Sequence, residues 1–313
     1  MQAKQITQWQ IIGSGAIGCL WAANLIKSGQ HVHLVSRNRD LPQTLLYENL
    51  EGEKCRLDCS QSAHLTNSKD PILVCVKALQ VKQALLDQIA LISAKQVIIL
   101  MHNGMGTAEQ VASILPDNPI ICATTANASL LNSPFNIKQT GLGISYLGAF
   151  NEQAKAYSTL LTPLNQALSN CHWNENVEKT LWLKLLINVA INPLTAIHQI
   201  NNGALTKQSF QTQIETMIDE VLPLLTLMNM ASPQETQNPF SKENLLTTIN
   251  TVIKNTAENY SSMNRDIYYQ RPTENEYING YLLKKASQHH IETPLIRECY
   301  QQIISLESRS ITQ

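Results

Sequence analysis

The sequence predicts an α/β N-terminal half built on a doubly wound parallel sheet, followed by an all-helical C-terminal half. Three observations carry this reading. Short apolar runs alternate with amphipathic stretches through the first half, the pattern of βαβ units that cover a parallel sheet on both faces. A glycine-rich loop, Gly13-Ser14-Gly15-Ala16-Ile17-Gly18, separates the first apolar run from the first helical one. From about Asn176 onward the patterns are long and helical, with prolines as punctuation.

Taken in order, residues Trp9 to Ile12 read as a strand, Ala16 to Lys27 as a helix and His31 to Val35 as the next strand. Pro71 to Val76 is a further strand, followed by a helical pattern from Leu79 to Ile92. Gln96 to Met101, a helix from Thr107 to Leu115, and a strand from Ile120 to Ala126 continue the alternation. Gly141 to Gly148 alternates less cleanly and is expected to be a late edge strand. The second half offers helices over about 177–197, 206–229, 241–256 and 274–289. Pro193, Pro223, Pro233, Pro239, Pro272 and Pro294 are expected mostly near helix ends or kinks. The polar stretch from Cys171 to Asn176 is the expected boundary, giving domains 1–174 and 175–313.

A chain of 313 residues, with 43% hydrophobic and 15% charged residues, is long enough for two cores and is not disordered by composition. Its formal net charge of -1 argues against a nucleic-acid binder. Seven cysteines without a C-x-x-C pair read as buried thiols of a reducing compartment, so a cytoplasmic protein is expected. No signal peptide is read at the start, and no membrane span, because Lys184, Asn188 and Asn192 interrupt the longest apolar run. The eight histidines show no metal-ligand spacing, and no metal is expected.

The glycine loop carries the first chemical signal. A G-x-G-x-x-G between a strand and a helix, inside one βαβ unit, is the Rossmann-type dinucleotide fingerprint. Gly13 permits the tight turn, Gly15 leaves room for a pyrophosphate, and Gly18 lets the helix lie close to the strand. The helix N-terminus offers free N–H groups to the phosphates. Preference between the two nicotinamide dinucleotides is read at the end of the second strand, Leu34-Val35-Ser36-Arg37-Asn38-Arg39. No acid stands there before Asp40 to accept from ribose hydroxyls. Arg37 and Arg39 suit a 2′-phosphate, and Ser36 can add a hydrogen bond, which favours NADPH/NADP+.

The second signal lies in Leu181-Trp182-Leu183-Lys184-Leu185-Leu186-Ile187-Asn188-Val189-Ala190-Ile191-Asn192-Pro193. Lys184, Asn188 and Asn192 recur every four residues, on one face of an otherwise apolar helix, over roughly 12 Å. Burying such a stripe without partners is costly. A small carboxylate substrate would satisfy all three, and interdomain hydrogen bonds are the second reading. If a keto group is reduced there, Lys184 is the candidate proton donor. Burial would lower its pKa and a cofactor phosphate or substrate carboxylate would raise it; the sequence leaves that balance open.

Other candidates stand at expected carboxyl ends of strands, where open α/β sheets bind ligands: Lys77, and Asn103 in Asn103-Gly104-Met105-Gly106. Thr273 reads as a helix N-cap with Glu276 completing a capping box, which leaves Glu274 free. From the residues alone Glu274 is most simply a charge in the first helical turn.

Together these stretches resemble the ketopantoate reductase family over nearly the whole chain. The resemblance is carried by the glycine loop, Val76-Lys77-Ala78, His102-Asn103-Gly104-Met105-Gly106, Leu181-Trp182-Leu183-Lys184-Leu185, Asn188 to Ala196, Asn202-Gly203, Ala257 to Met263 and Thr273 to Leu282. It implies a Rossmann domain followed by a helical domain, with the active site between them, and NADPH-dependent reduction of 2-dehydropantoate to (R)-pantoate on the way to pantothenate and coenzyme A. It further implies Lys184 as proton donor, with Asn103, Asn188, Asn192, Asn202 and Ser262 at the substrate. Arg37 and Lys77 would hold the cofactor, Asn103 would lie between cofactor and substrate, Ser129 would contact the cofactor backbone, and Glu274 would contact the ribose and orient the substrate. Lys77 and Asn103 are thus expected on one side of the site, and Lys184 and Glu274 on the other. A monomer or homodimer acting on a small 2-keto acid, with no nucleic acid or membrane partner, is the expected form.

Overall fold

The computed structural model describes residues 8–37, 42, 44–230 and 238–311. They form two compact units. One holds the chain up to His102 together with Gly106–Glu178, and the other holds Asn103–Met105 and the chain from Lys179 onward.

In chain order the first unit contains β1 (Gln8–Ile12), α1 (Ala16–Lys27), β2 (His31–Val35), β3 (Thr44–Glu48), β4 (Lys54–Asp58), β5 (Ser60–Ser62), β6 (Ile72–Val74) and α2 (Ala78–Leu86). It continues with β7 (Ile98–Met101), α3 (Thr107–Ile114), β8 (Ile120–Thr125), β9 (Ala128–Ser133), β10 (Asn136–Gly141), β11 (Ser145–Ala149), α4 (Leu161–Ala167) and β12 (Cys171–Trp173). Eight strands form one sheet in the order β12-β11-β8-β7-β6-β1-β2-β5. From β5 to β8 every neighbour pair is parallel, and β11 alone runs antiparallel to its neighbour β8. The central strands β6 and β7 are buried at every position, as expected of a parallel sheet covered on both faces.

Several expectations need correction. The helical pattern from Leu79 to Ile92 breaks after Leu86, and Ile89–Leu91 is a separate 3-10 turn. The expected edge strand at 141–148 starts at Ser145 and is not an edge, because β12 pairs outside it. A four-stranded sheet, β4-β3-β10-β9, went unread altogether. It explains an oddity of α1, in which all residues from Gly18 to Leu25 are buried. A helix that is apolar all round must be covered all round. Here β1 and β2 cover one side of α1, and β3, β9 and β10 cover the other. Trp21, Leu25, Leu45, Phe135 and Ile137 share the resulting core. Tyr47 completes it by donating to Gln139 at 2.5 Å.

The second unit contains α5 (Val177–His198, its first residues in the first unit), α6 (Gln208–Leu227), α7 (Lys242–Asn255), α8 (Ser262–Tyr268), a π-helical turn at Glu276–Gly280, α9 (Tyr281–Gln288) and α10 (Pro294–Ile311). α5 is its central core helix, with Trp182, Leu185, Leu186, Val189, Ala190 and Leu194 all buried. By length and composition α5 could cross a membrane, but 61% of its most apolar window is buried against protein. Pro193 and Pro223 lie inside helices rather than at their ends, whereas Pro294 opens α10, where its missing N–H costs nothing. Pro233 falls outside the described residues. Neither α8 nor α10 was read from the sequence. The N-terminus of α10 is capped from a distance, because the Glu220 carboxylate of α6 accepts from the N–H groups of Leu295 (2.8 Å) and Ile296 (3.1 Å).

Two glycines in one loop should respond oppositely to a methyl group. A Cβ on Gly18 would fall 1.9 Å from the Gly13 carbonyl oxygen, whereas a Cβ on Gly15 would meet nothing within 4 Å. Gly18→Ala is therefore expected to cost about 1–3 kcal/mol of folding stability by overpacking. Gly15→Ala should leave the urea midpoint unchanged. Equal midpoints for the two variants would contradict this account of the loop.

Candidate active site

The first unit builds a cradle at the carboxyl end of β1. Gly13 has φ of 115°, a conformation that side chains rarely adopt, and its N–H donates to the Val35 carbonyl at 3.0 Å. The chain turns there and α1 begins at Ala16 with no side-chain cap. Its first N–H groups are consequently available to an anion. The Ser14 and Ser36 hydroxyls lie 2.9 Å apart, tying the glycine loop to the end of β2. Ser129 of β9 donates to the Ala16 carbonyl at 3.0 Å, beside Ile17 in the first turn. Arg37 follows β2 and is exposed, and Lys77 is the partly buried N-cap residue of α2. Asn38, Arg39 and Asp40 lie outside the described residues.

The second unit gathers a different set. Lys184 sits partly buried on α5, and Glu274 is buried at the turn leading into the π-helical segment. Asn103 Nδ2 donates to Glu274 Oε2 at a long 3.4 Å. The expectation that Asn103 stands with Lys77, opposite Glu274, is thereby corrected. Asn103–Met105 belongs to the same compact unit as Glu274, although the loop springs from β7. The Met105 N–H donates to the Tyr277 carbonyl at 2.9 Å. Gly104, at φ 81°, has no space for a side chain, since its Cβ would lie 2.7 Å from Tyr277. That close approach accounts for the glycine better than a plain turn does.

Asn192 is buried and Asn188 partly so, and neither amide forms a hydrogen bond among the described residues. Asn202 stands in the Asn202–Thr206 3-10 turn. Its Nδ2 donates to Thr256 Oγ1 at 2.8 Å while its buried Oδ1 finds no partner among the described residues. Ser262 is exposed at the first position of α8. Its neighbour Ser261 caps α8 and accepts a 2.7 Å bond from Thr195 of α5. Thr195, Ser261 and Asn264, whose amide donates to the Thr195 carbonyl at 2.7 Å, form a buried lock that sequence reading missed. A serine before a helical stretch was its one visible signal.

The proposed capping box is also corrected. The Thr273 hydroxyl accepts from the Asn275 N–H at 3.1 Å, not from Glu276. The Thr273 N–H is taken by Glu307 Oε1 at 2.7 Å, so Glu276 is not needed there. Glu276 instead accepts from the Tyr300 hydroxyl at 2.5 Å.

Burial lowers the Lys184 pKa from 10.5 to about 8, and the neighbouring Glu274 carboxylate partly opposes that fall. Burial thus wins the balance that the sequence left open. The ammonium becomes a far better proton donor near neutral pH than a free lysine. The cysteines offer no comparable chemistry. All seven are free, and burial pushes the Cys19 and Cys122 thiols up to about 12. Among the described residues no group of three or more His, Cys, Asp or Glu side chains could hold a metal.

A glycine loop between the first strand and first helix of a parallel sheet, followed by a helical unit with an acidified lysine, is the build of a class: nicotinamide-dependent oxidoreductases of two units. The chain belongs to the ketopantoate reductase family. Residues 9–152 match the family model described as Ketopantoate reductase PanE/ApbA, and residues 176–307 match its C-terminal counterpart. It is 35% identical over 297 residues to a 2-dehydropantoate 2-reductase of Vibrio cholerae serotype O1, covering 95% of this chain and 97% of that protein. Two solved structures each align at TM-score 0.85 with 20% identity, over 97% of this chain and 99% of theirs. They are a PanE/ApbA family ketopantoate reductase from Ralstonia eutropha JMP134 and a D-mandelate dehydrogenase in complex with NADH and anilino(oxo)acetate. At that identity they show the fold.

The Lys184 pKa can be read directly from its Nζ resonance in ¹⁵N-lysine-labelled protein. Titration is expected near 8, and Glu274→Gln should move it lower by removing the opposing charge. Because the folded value lies below the unfolded one, the unfolded chain holds more protons between about 8 and 10.5, and this lysine makes stability rise with pH across that window. A Lys184 that titrates at 10.5, or a value unmoved by Glu274→Gln, would refute the assigned environment.

Proposed function

We propose that this chain reduces 2-dehydropantoate to (R)-pantoate with NADPH. The observation that carries the reading is the partly buried Lys184, acidified to about 8 beside Glu274, on a helix that also presents the amides of Asn188 and Asn192, which have no hydrogen-bond partner among the described residues. Its setting is a chain 35% identical, nearly end to end, to a 2-dehydropantoate 2-reductase.

The first unit fits a dinucleotide. A Cβ on Gly15 would enter space that is open for 4 Å, the space a pyrophosphate needs above the uncapped start of α1. Gly13 to Gly18 would hold the diphosphate, with Ser129 and Lys77 beside it. Arg37 would pair with the 2′-phosphate that distinguishes NADPH from NADH. When bound, NADPH supplies the hydride for the C2 carbonyl carbon.

The remaining work falls to the second unit. Asn188, Asn192, Asn202 and Ser262 offer amide and hydroxyl groups to the carboxylate and hydroxyl of the substrate. Lys184 polarises the C2 carbonyl and gives its Nζ proton to that oxygen as the alcohol forms. Glu274 keeps the ammonium charged enough to serve and orients substrate hydroxyls, and Asn103 holds Glu274 by the bond already described. After the proton has left, the neutral amine is reprotonated from solvent. A cytoplasmic setting agrees with seven free cysteines.

The decisive assay is loss of NADPH absorbance on adding 2-dehydropantoate, with NADH and 2-ketoisovalerate as controls. Rapid oxidation of NADPH with 2-dehydropantoate is expected. Lys184→Ala should lower kcat by about 10²-fold or more while NADPH affinity is retained. Gly15→Ala should fold normally yet bind NADPH weakly. As Lys184 must be protonated to act, kcat/KM should fall as pH rises through about 8. Tight NADPH binding with no turnover of any keto acid would end the enzyme reading.

A further inference from the structure

Glu274 does not hold its place through its own side chain alone. Both residues flanking it are tied to α10, the C-terminal helix. The Thr273 N–H donates to Glu307 Oε1 at 2.7 Å, and Asn275 Nδ2 donates to the Tyr300 carbonyl at 3.0 Å. The Glu274 carbonyl accepts from the N–H groups of Tyr277 and Ile278, both at 3.0 Å, which starts the π-helical turn. Inside that turn Asn279 Nδ2 donates to Asn275 Oδ1 at 2.8 Å, both residues being buried. On its outer side the Tyr300 hydroxyl donates to Glu276 Oε2 at 2.5 Å. Gly280 leaves the room for this pair, since a Cβ there would lie 2.9 Å from Glu276 Oε2 and 3.2 Å from the Tyr300 ring.

This arrangement is more specific than helix packing requires. Two ordinary helices meet through apolar side chains. Here three polar ties run from α10 to the backbone and side chains of one short turn, and that turn carries Glu274, whose carboxylate charge raises the Lys184 pKa. One of the ties uses a carboxylate as acceptor for a backbone N–H, a bond about twice as strong as a neutral one. α10 is in turn fixed at its start by the Glu220 cap. π-Turns inside helices recur at functional sites because they re-aim a side chain.

We propose that Glu307 and Tyr300 are positioning residues that hold the Glu274 carboxylate at Lys184 by clamping the Thr273–Gly280 turn against α10. The role of the clamp in turnover rests on the reductase function proposed above; its effect on Lys184 does not. Loosening the clamp lets the carboxylate drift from the ammonium. The opposing charge is then lost, and the lysine titrates at lower pH. The charges facing this clamp are Glu274 and Glu276 on the turn and Glu307 on α10; the hydrogen bond to Glu276, then burial, then the Glu276 and Glu307 charges hold the Tyr300 phenol up at about 12. The phenol therefore stays a hydrogen-bond donor throughout the working range.

The test compares Glu307→Ala, Glu307→Gln and Tyr300→Phe with Glu298→Gln, a control on the exposed side of α10 whose carboxylate accepts from Gln302 Nε2 at 3.0 Å. Three readings are taken on each: the thermal midpoint, the Lys184 Nζ titration in ligand-free protein, and kcat with 2-dehydropantoate and NADPH. Glu307→Ala and Tyr300→Phe should each bring the Lys184 titration below about 8 and lower kcat by about 10-fold, the order expected for a small misplacement of a catalytic group. Glu307→Gln keeps a neutral acceptor and should restore most of both, and Glu298→Gln should change neither. If Glu307→Ala does not fold, Tyr300→Phe and Glu307→Gln still decide the matter. Variants that merely melt earlier, with the Lys184 titration and kcat unmoved, would overturn the clamp. A shifted Lys184 titration in a protein that reduces no keto acid would uphold the clamp and remove the function instead.

Discussion

An ammonium group withdrawn into an apolar helix sets the terms for the second unit. A buried charge without a partner is among the costliest features a fold can carry. Stripping the partner from a buried ion pair typically costs about 3–5 kcal/mol, although the intact pair contributes little net stability. Lys184 sits partly buried on α5, the central core helix, and burial lowers its pKa to about 8. A carboxylate must therefore be delivered to it. Glu274 arrives on a short turn, and the rest of the unit is arranged around holding that turn: Met105 bonds to Tyr277, Glu307 to Thr273, and Tyr300 to Glu276 and Asn275.

The first unit answers to a different constraint, which is close approach of backbone. Gly18 brings α1 within van der Waals range of the Gly13 carbonyl, and Gly13 turns sharply enough for the helix to begin there. The same tight seating puts α1 at the bottom of a sandwich between two sheets, with no polar face. The helix whose uncapped N-terminus follows the glycine loop is thus also deeply packed, with Gly18 to Leu25 all buried. Anion sites built from helix termini work best on rigid elements, because the N–H groups then need no reordering when the ligand arrives.

The parts of the site legible in the sequence were those whose signal is local. The glycine spacing announced the cradle, and the four-residue recurrence of Lys184, Asn188 and Asn192 announced a polar stripe on a buried helix. What escaped was non-local. The second sheet is built from strands such as Lys54–Asp58 and Ala128–Ser133, whose sequences are polar and short of aromatic residues. Its one available signal was indirect: α1 has no polar face and so needs cover on every side. α10 escaped because its N-cap is Glu220, seventy-five positions earlier. Glu276 was misassigned because a capping box is a local motif, and a carboxylate from α10 had already taken the N–H it would have served.

By itself the sequence determined the alternation of strand and helix, the glycine loop between the first strand and first helix, the family and the residue types proposed for the chemistry. These follow from spacing of three, four or two residues, which backbone geometry converts directly into a shared face or a tight turn. Only the tertiary structure decided that Asn103 joins Glu274, that burial outweighs the carboxylate in setting the acidity of Lys184, and that α10 grips the turn bearing Glu274. Each of these depends on distances between groups far apart in the chain, and on how much water the fold leaves around them. Neither quantity is written in any local run of residues.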